Sequence, residues 1–148
     1  AACEVGGIIA GAPEAAVKAL RDYGDALGIA FQMVDDLLDY DAAATTTGKN
    51  LGDDFRERKL TLPVIRAIAR ADPEERAFWD RTIARGEQHD SDLAHAMHLL
   101  ERHGALATTR ATALEWAGVA RSALGALPDH PLRAMLDELA DFVVARIR

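Results

Sequence analysis

Apolar side chains recur at spacings of three and four along almost the whole chain, the period of an α-helix that buries one face. The clearest run is Val17, Leu20, Leu27, Ala30, Met33, Val34, Leu37 and Leu38, and this stripe predicts a helix over about residues 13–40. Pro13 suits its first turn, where a backbone N–H has no partner to lose. Gly24 and Gly28 sit four apart on one face, where a neighbouring helix could approach closely. A shorter apolar segment, residues 2–10, comes before, and Gly11 punctuates it.

The period is lost over residues 41–58. That is longer than the usual connection of about 4–6 residues, and such loops in compact domains serve function or lack fixed structure. Helical spacing then returns. One helix is expected over residues 62–71, with Pro63 in its first turn. A second is capped by Asp72-Pro73-Glu74-Glu75 and ends near Gly86. A third opens at Ser91 or Asp92 and is closed by His103-Gly104. A fourth runs over residues 105–127 until Pro128 stops it, and the last covers residues 132–148. β-Branched runs are short, and no Asn-Gly or Asp-Gly hairpin pair occurs. With no repeat and no linker, the 148 residues are expected to form a single all-α helical bundle, or part of one.

Charge narrows the function classes. Seventeen Lys+Arg against 24 Asp+Glu give a net charge of −7, which disfavours non-specific binding to nucleic acid or anionic lipid. No apolar stretch approaches the roughly 20 residues of a membrane helix, so no stable membrane insertion is expected. The one cysteine, Cys3, cannot form an internal disulfide, and a reducing cytoplasm fits it. The chain opens without Met on apolar Ala1, Ala2, Val5, Ile8 and Ile9, as the interior of a longer chain would.

Candidate chemistry lies at the end of the long helix, in Phe31-Gln32-Met33-Val34-Asp35-Asp36-Leu37-Leu38-Asp39. On a helix Asp35 and Asp39 share a face one turn apart, with Asp36 beside them. Like charges so placed repel, and the helix C-terminus disfavours anions, so the trio calls for a cation. Carboxylate oxygens suit Mg²⁺, which keeps several waters and shares its coordination with phosphates. Alone, such a pattern in an acidic protein is as well explained by a solvated acidic face. The loop shifts the balance, because Gly48-Lys49-Asn50-Leu51-Gly52-Asp53-Asp54 puts a lysine among glycines, and Lys59 follows. Glycine lets the backbone approach a bulky anion, and lysine is a movable point charge for phosphate.

FQMVDDLLDY followed by GKNLGDDFRERKLTLP closely resembles the second aspartate-rich region of the trans-isoprenyl diphosphate synthases, the polyprenyl synthetase family. AACEVGGIIAGA is similar to the small-residue helix ahead of that region, and residues 103–148 to the family's C-terminal helices. The resemblance therefore covers essentially the whole chain. It implies the C-terminal portion of an isoprenoid-synthase-type helical bundle, residues 1–148, with the first aspartate-rich motif upstream and absent. In wording it is nearest to the bacterial octaprenyl and decaprenyl diphosphate synthases that serve quinone side chains, such as that of ubiquinone.

The resemblance also implies roles. Asp35 and Asp36, and with them Asp39, would bind Mg²⁺ bridging to an allylic prenyl diphosphate. Phe31 and Gln32 would lie beside isopentenyl diphosphate. Lys49 would contact the allylic diphosphate and Lys59 would face it as a second lysine, with Asp53 and Asp54 supporting them from the same loop. The implied activity is a prenyltransferase working by ionisation, condensation and elimination, expected as a cytoplasmic homodimer. This 148-residue chain alone is expected to be inactive, because half the metal clamp is missing. One departure stands out, since the family usually has glycine where this chain has Arg58. Two alternatives stay open: a non-catalytic helical partner subunit of such a synthase, and a short-chain farnesyl or geranylgeranyl diphosphate synthase. A generic helical interaction domain would show no metal dependence.

Other residues read as structural. His95 and His98 with Asp92 have the spacing of helical metal ligands but also of an ordinary polar face. Trp79 and Trp116 sit among apolar residues at helical spacing, as packing residues do. Cys3 has no activating neighbour in sequence, and Arg146 and Arg148 suit a helix C-terminus.

Overall fold

The computed structural model describes residues 1–41 and 51–147, and these form helices with no strand among them. In order they are α1 (Ala2–Ile9), α2 (Glu14–Leu38), α3 (Asp53–Arg56), α4 (Leu62–Arg70), α5 (Pro73–Trp79), α6 (Asp92–Arg102), α7 (Ala105–Ala123) and α8 (Pro131–Ala145). α5 runs on into a π-helical turn at Asp80–Ala84, and α7 ends in a 3₁₀ turn at Leu124–Ala126. The expected all-α class and order hold. The differences are local: the long connection contains the four-residue α3, and α7 and α8 stop a few residues short of the expected limits.

Two compact units divide the chain. The first comprises residues 1–34 and 111–148, and the second residues 35–110. The first is built on small side chains, with Ala26, Ala120 and Ala140 buried around Tyr23 and Leu124. Small residues let helix axes come close. A Cβ added at Gly24 would meet Cys3 Sγ at 3.2 Å, so Gly24 gives α1 its close approach to α2, whereas a Cβ added at Gly28 would meet no neighbouring element within 4 Å. Tyr23 donates its hydroxyl to the Leu136 carbonyl at 2.8 Å, and burial pushes its pKa up to about 12. Trp116 packs against this cluster, as its spacing predicted. On α8, Leu132, Met135, Leu139 and Phe142 form an exposed apolar stripe at helical spacing. No described helix is long and apolar enough to cross a membrane.

The second unit has a larger, aromatic core. Tyr40, Phe55, Val64, Trp79, Ile83, Leu99 and Leu100 are buried together. Phe55 stacks on Phe78 with centroids 6.5 Å apart, and Phe78 meets Trp79 edge-on at 5.1 Å. The expected cap of α5 is a full capping box: Asp72 accepts from the Glu74 and Glu75 amides, and Glu75 reaches back to the Asp72 amide. Asp92 and His95 serve packing and pairing, in keeping with the structural reading of their spacing. The buried Asp92 is taken by Arg81 in a two-pronged ion pair at 2.8 Å, and His95 lies edge-on to Phe78.

Candidate functional site

The stripe of α2 that buries Val34 and Leu37 also fixes where its acids point. Asp35 is half-buried, while Asp36 and Asp39 are buried at 9% and 5% exposure, too deep for a merely solvated acidic face. Asp35, Asp36 and Asp39 all engage neighbouring groups. The end of α2 tightens: the Tyr40 and Asp41 amides bond to Leu37 and Leu38 three residues back.

Residue 39 is where the chain returns after the connection. The Asp39 carbonyl accepts from the Gly52 amide at 2.8 Å, and its carboxylate Oδ2 accepts from the Asp54 amide at 3.1 Å. These bonds satisfy an orphan carbonyl of α2 and an orphan donor of α3 at once. Gly52 can do this because its φ of 76° is left-handed and Leu93 fills the space a side chain would need.

Lys59 is brought in through Asp54. Its Nζ donates to Asp54 Oδ1 at 2.8 Å and to Glu57 Oε2 at 2.7 Å. Those bonds, with Asp54 first, raise the Lys59 pKa above the usual lysine range, so it stays an ammonium ion. Lys59 in turn holds the Glu57 carboxyl below its usual range. Asp53 faces outward to Arg56 at 3.3 Å.

Two hydroxyls complete the neighbourhood. Tyr40 Oη and Thr61 Oγ1 are buried and interact, yet neither makes a hydrogen bond of normal geometry. Burial pushes the Tyr40 pKa well above its usual value, and the charges of Asp39, Asp54 and Asp36 push it further. Sequence reasoning passed over this pair, although Tyr40 directly follows Asp39 and Thr61 is the N-cap of α4.

Phe31 and Gln32 stand exposed one turn earlier on the same helix, Phe31 at 51%. Lys49 lies outside the described residues. The structure therefore joins Asp36, Asp39, Asp54 and Lys59 in one neighbourhood at the end of α2. Among the described residues no three His, Cys, Asp or Glu side chains form a ready-made metal cage. A magnesium ion shared with phosphate needs only one or two carboxylates, with waters and phosphate oxygens supplying the rest. Asp35 and Asp36 meet that requirement in number and chemistry. Asp39, with one oxygen already committed to the Asp54 amide, ties the α2 acids to the lysine turn.

Arg58 explains its own departure. Its φ is 60°, the left-handed region that glycine occupies without strain, and it is the one non-glycine residue among those described with a positive φ.

The chain is similar to known proteins in sequence and in structure. The family described as polyprenyl synthetase matches residues 1–100. The chain is 41% identical over its whole length to octaprenyl diphosphate synthase of Escherichia coli K12, of which it spans 46%. The crystal structure of a decaprenyl diphosphate synthase from Rhodobacter capsulatus matches 98% of the chain at 64% identity and a TM-score of 0.88, over 44% of its own length. A polyprenyl synthase from Caulobacter crescentus, complexed with calcium and isoprenyl diphosphate, matches 98% of the chain at 49% identity and a TM-score of 0.87, again over 44% of its length. The chain thus spans about half the length of the relatives it matches.

Proposed function

The chain belongs to the polyprenyl synthetase family, and on that premise we propose that the end of α2 and the turn leading into α4 form the diphosphate-binding half of a prenyltransferase site. Asp35 and Asp36 hold Mg²⁺ against the diphosphate of an allylic prenyl substrate, with Asp39 steadying them. Lys59 faces the same diphosphate, and Lys49 joins it from the connection. Phe31 and Gln32 serve the isopentenyl diphosphate side. Asp53 and Asp54 keep the turn in place.

The carrying observation is the pair of hydrogen bonds at Asp54, whose amide donates to the Asp39 carboxylate and whose carboxylate accepts from Lys59. It supports a carboxylate helix and an ammonium group working on one ligand. The calcium and isoprenyl diphosphate complex of the Caulobacter relative supports the same pairing of ion and ligand class.

In the proposed reaction the allylic C–O bond breaks and the diphosphate leaves with both electrons. The isopentenyl double bond attacks the resulting cation, forming a C–C bond. A proton is then lost to the departed diphosphate as the new double bond forms. When bound, magnesium supplies positive charge that stabilises the leaving diphosphate. Lys59 adds a preorganised positive charge, already held in place before the charge develops. Glu57, more exposed than Asp54, is the partner Lys59 gives up when a diphosphate arrives. A long-chain product is part of the proposal, supported by the octaprenyl and decaprenyl enzymes among the relatives.

The test is a chimera in which these 148 residues replace the matched segment of the E. coli enzyme. It is expected to build polyprenyl diphosphate from labelled isopentenyl diphosphate, while the 148-residue chain alone binds pyrophosphate with Mg²⁺ but forms no product. A folded chimera that incorporates no label would overturn the proposal.

A further inference from the structure

We propose that Arg58, seated against Gly86, is a positioning residue that latches the Lys59 turn in its diphosphate-facing form. The latch rests on the diphosphate reading above.

Two left-handed residues meet here, 28 positions apart in sequence. Arg58 has φ 60° and Gly86 has φ 74°. A Cβ built on Gly86 would lie 2.7 Å from Arg58 Nη1 and 3.2 Å from its Cδ, so the absence of a side chain at 86 is the seat of the arginine. Gly86 comes just after the π-helical turn Asp80–Ala84, where carbonyl groups at a helix C-terminus favour a cation. Gln88, two residues on, ties the same pair of segments: its Nε2 donates to the Phe55 carbonyl at 2.9 Å and to the Thr82 carbonyl at 3.0 Å. Between these ties lie the turn bonds from the Arg58 amide to Phe55 O and from the Lys59 amide to Asp54 O.

Lys59 needs this support. Its side chain is 55% exposed and its two partners, Asp54 and Glu57, belong to its own turn. The start of the turn is held by Asp39, and its far end, at Arg58 and Lys59, is flanked by Phe55 and the 86–88 segment. A strained backbone persists where the surroundings over-determine it, and such strain gathers at ligand sites. Glycine at 58 would remove the strain and the arm together. The arginine keeps both, which points to a function for the arm.

The experiment uses the 148-residue chain in three variants, Arg58→Gly, Gly86→Ala and the double variant, with Arg58→Lys as a fourth. The first readout needs no ligand: hydrogen exchange at the Arg58 and Lys59 amides is expected to speed up roughly tenfold in each single variant, which is the factor for a contact of ordinary size. The second is calorimetric binding of inorganic pyrophosphate with Mg²⁺, expected to weaken by a similar factor. Arg58→Gly should weaken binding while holding or raising the melting temperature, because it relieves a left-handed residue. The double variant should bind no worse than the weaker single one, since both break one contact.

Unchanged exchange in both single variants would overturn the latch. Faster exchange with unchanged pyrophosphate affinity would overturn its positioning role. Additive losses in the double variant, or full recovery by Arg58→Lys, would do the same, the first by showing independent strain and the second by showing that any charge suffices. A wild-type chain that shows no Mg²⁺-dependent pyrophosphate binding would count against the functional reading instead, while the exchange data decide the latch.

Discussion

The second unit contains two dense groups of charge, and they are completed differently. Around α5 and α6 the buried acids are bonded by basic side chains. Glu75 lies between Arg102 at 2.6 Å and His103 at 2.8 Å, and Asp92 is gripped by Arg81. At the end of α2 the acids Asp36, Asp39 and Asp54 crowd a buried phenol, and two buried hydroxyls lack a proper bond. The first arrangement holds helices together. The second keeps polar capacity in reserve, which a folded chain tolerates where a ligand uses it. Burial alone does not separate the two, because both contain acids below a tenth exposed. What distinguishes the second is its pair of buried hydroxyls, Tyr40 Oη and Thr61 Oγ1, beside acids that already have partners.

The largest effect that could break this comparison is on turnover. Asp35→Ala in the chimera is expected to cut prenyl transfer by about 10²–10³, the usual cost of losing one electrostatic contact to a developing charge. Melting temperature should barely move, because Asp35 is only half-buried. Full turnover in a folded Asp35→Ala chimera would reduce the end of α2 to a second structural cluster.

Gly52→Ala comes next. The added Cβ would crowd Leu93, with Cδ2 at 2.8 Å, and the residue would be held at φ 76°. A cost of about 2 kcal/mol is expected from strain and overpacking together. The Asp39–Asp54 join should loosen with it, so denaturant unfolding and Mg²⁺-dependent pyrophosphate affinity should fall together. Loss of stability with affinity intact would show that the α3 return does not support the site.

These variants also mark how far the sequence could be read. Helical period gave the order of every helix but α3, because core contacts obey the same spacing that the chain displays, and α3 is a single turn inside the stretch where the period is lost. The motif that contains Asp36, Asp39, Asp54 and Lys59 was legible in the sequence. The bridge between its parts was not, since Asp54 joins Asp39 through a backbone amide that no side-chain pattern records. Arg58 was visible only as an unusual residue, and its reason is a dihedral angle. The structural reading of Asp92 was legible, but its partner was not, since Arg81 lies eleven residues away, on another element.

The cluster around α5 and α6 should show its character in acid. The Arg81 guanidinium bonded to Asp92 holds its carboxyl down to about 2 against opposing burial, and the His89 amide helps. A carboxyl whose pKa is lower folded than unfolded stabilises above the unfolded value and loses that contribution as pH falls through the folded one. Asp92 therefore contributes fully above about pH 4 and progressively less toward pH 2. Asp92→Asn is expected to lower the melting temperature at pH 7 by roughly 5 °C. The loss is moderated because Arg81, a third exposed, can turn to water. The gap between wild type and variant should close between pH 4 and pH 2. A gap of constant size would mean that packing, not charge, holds α6 at this point.

The smallest expected effect guards the comparison against a simpler rule, that any ion pair in the second unit contributes. Arg85 and Asp80 form a short pair at 2.7 Å, but their side chains are 65% and 51% exposed. Water solvates both charges when they part, and ordering two long side chains offsets most of the attraction. Arg85→Ala is expected to change unfolding free energy by less than about 0.5 kcal/mol, and by less again in 1 M salt, where screening acts within about 3 Å. Pyrophosphate affinity should not change. Chemical denaturation at low and high salt checks this, and a loss as large as that of Asp92→Asn would mean that a charge pair in this unit contributes whatever its burial.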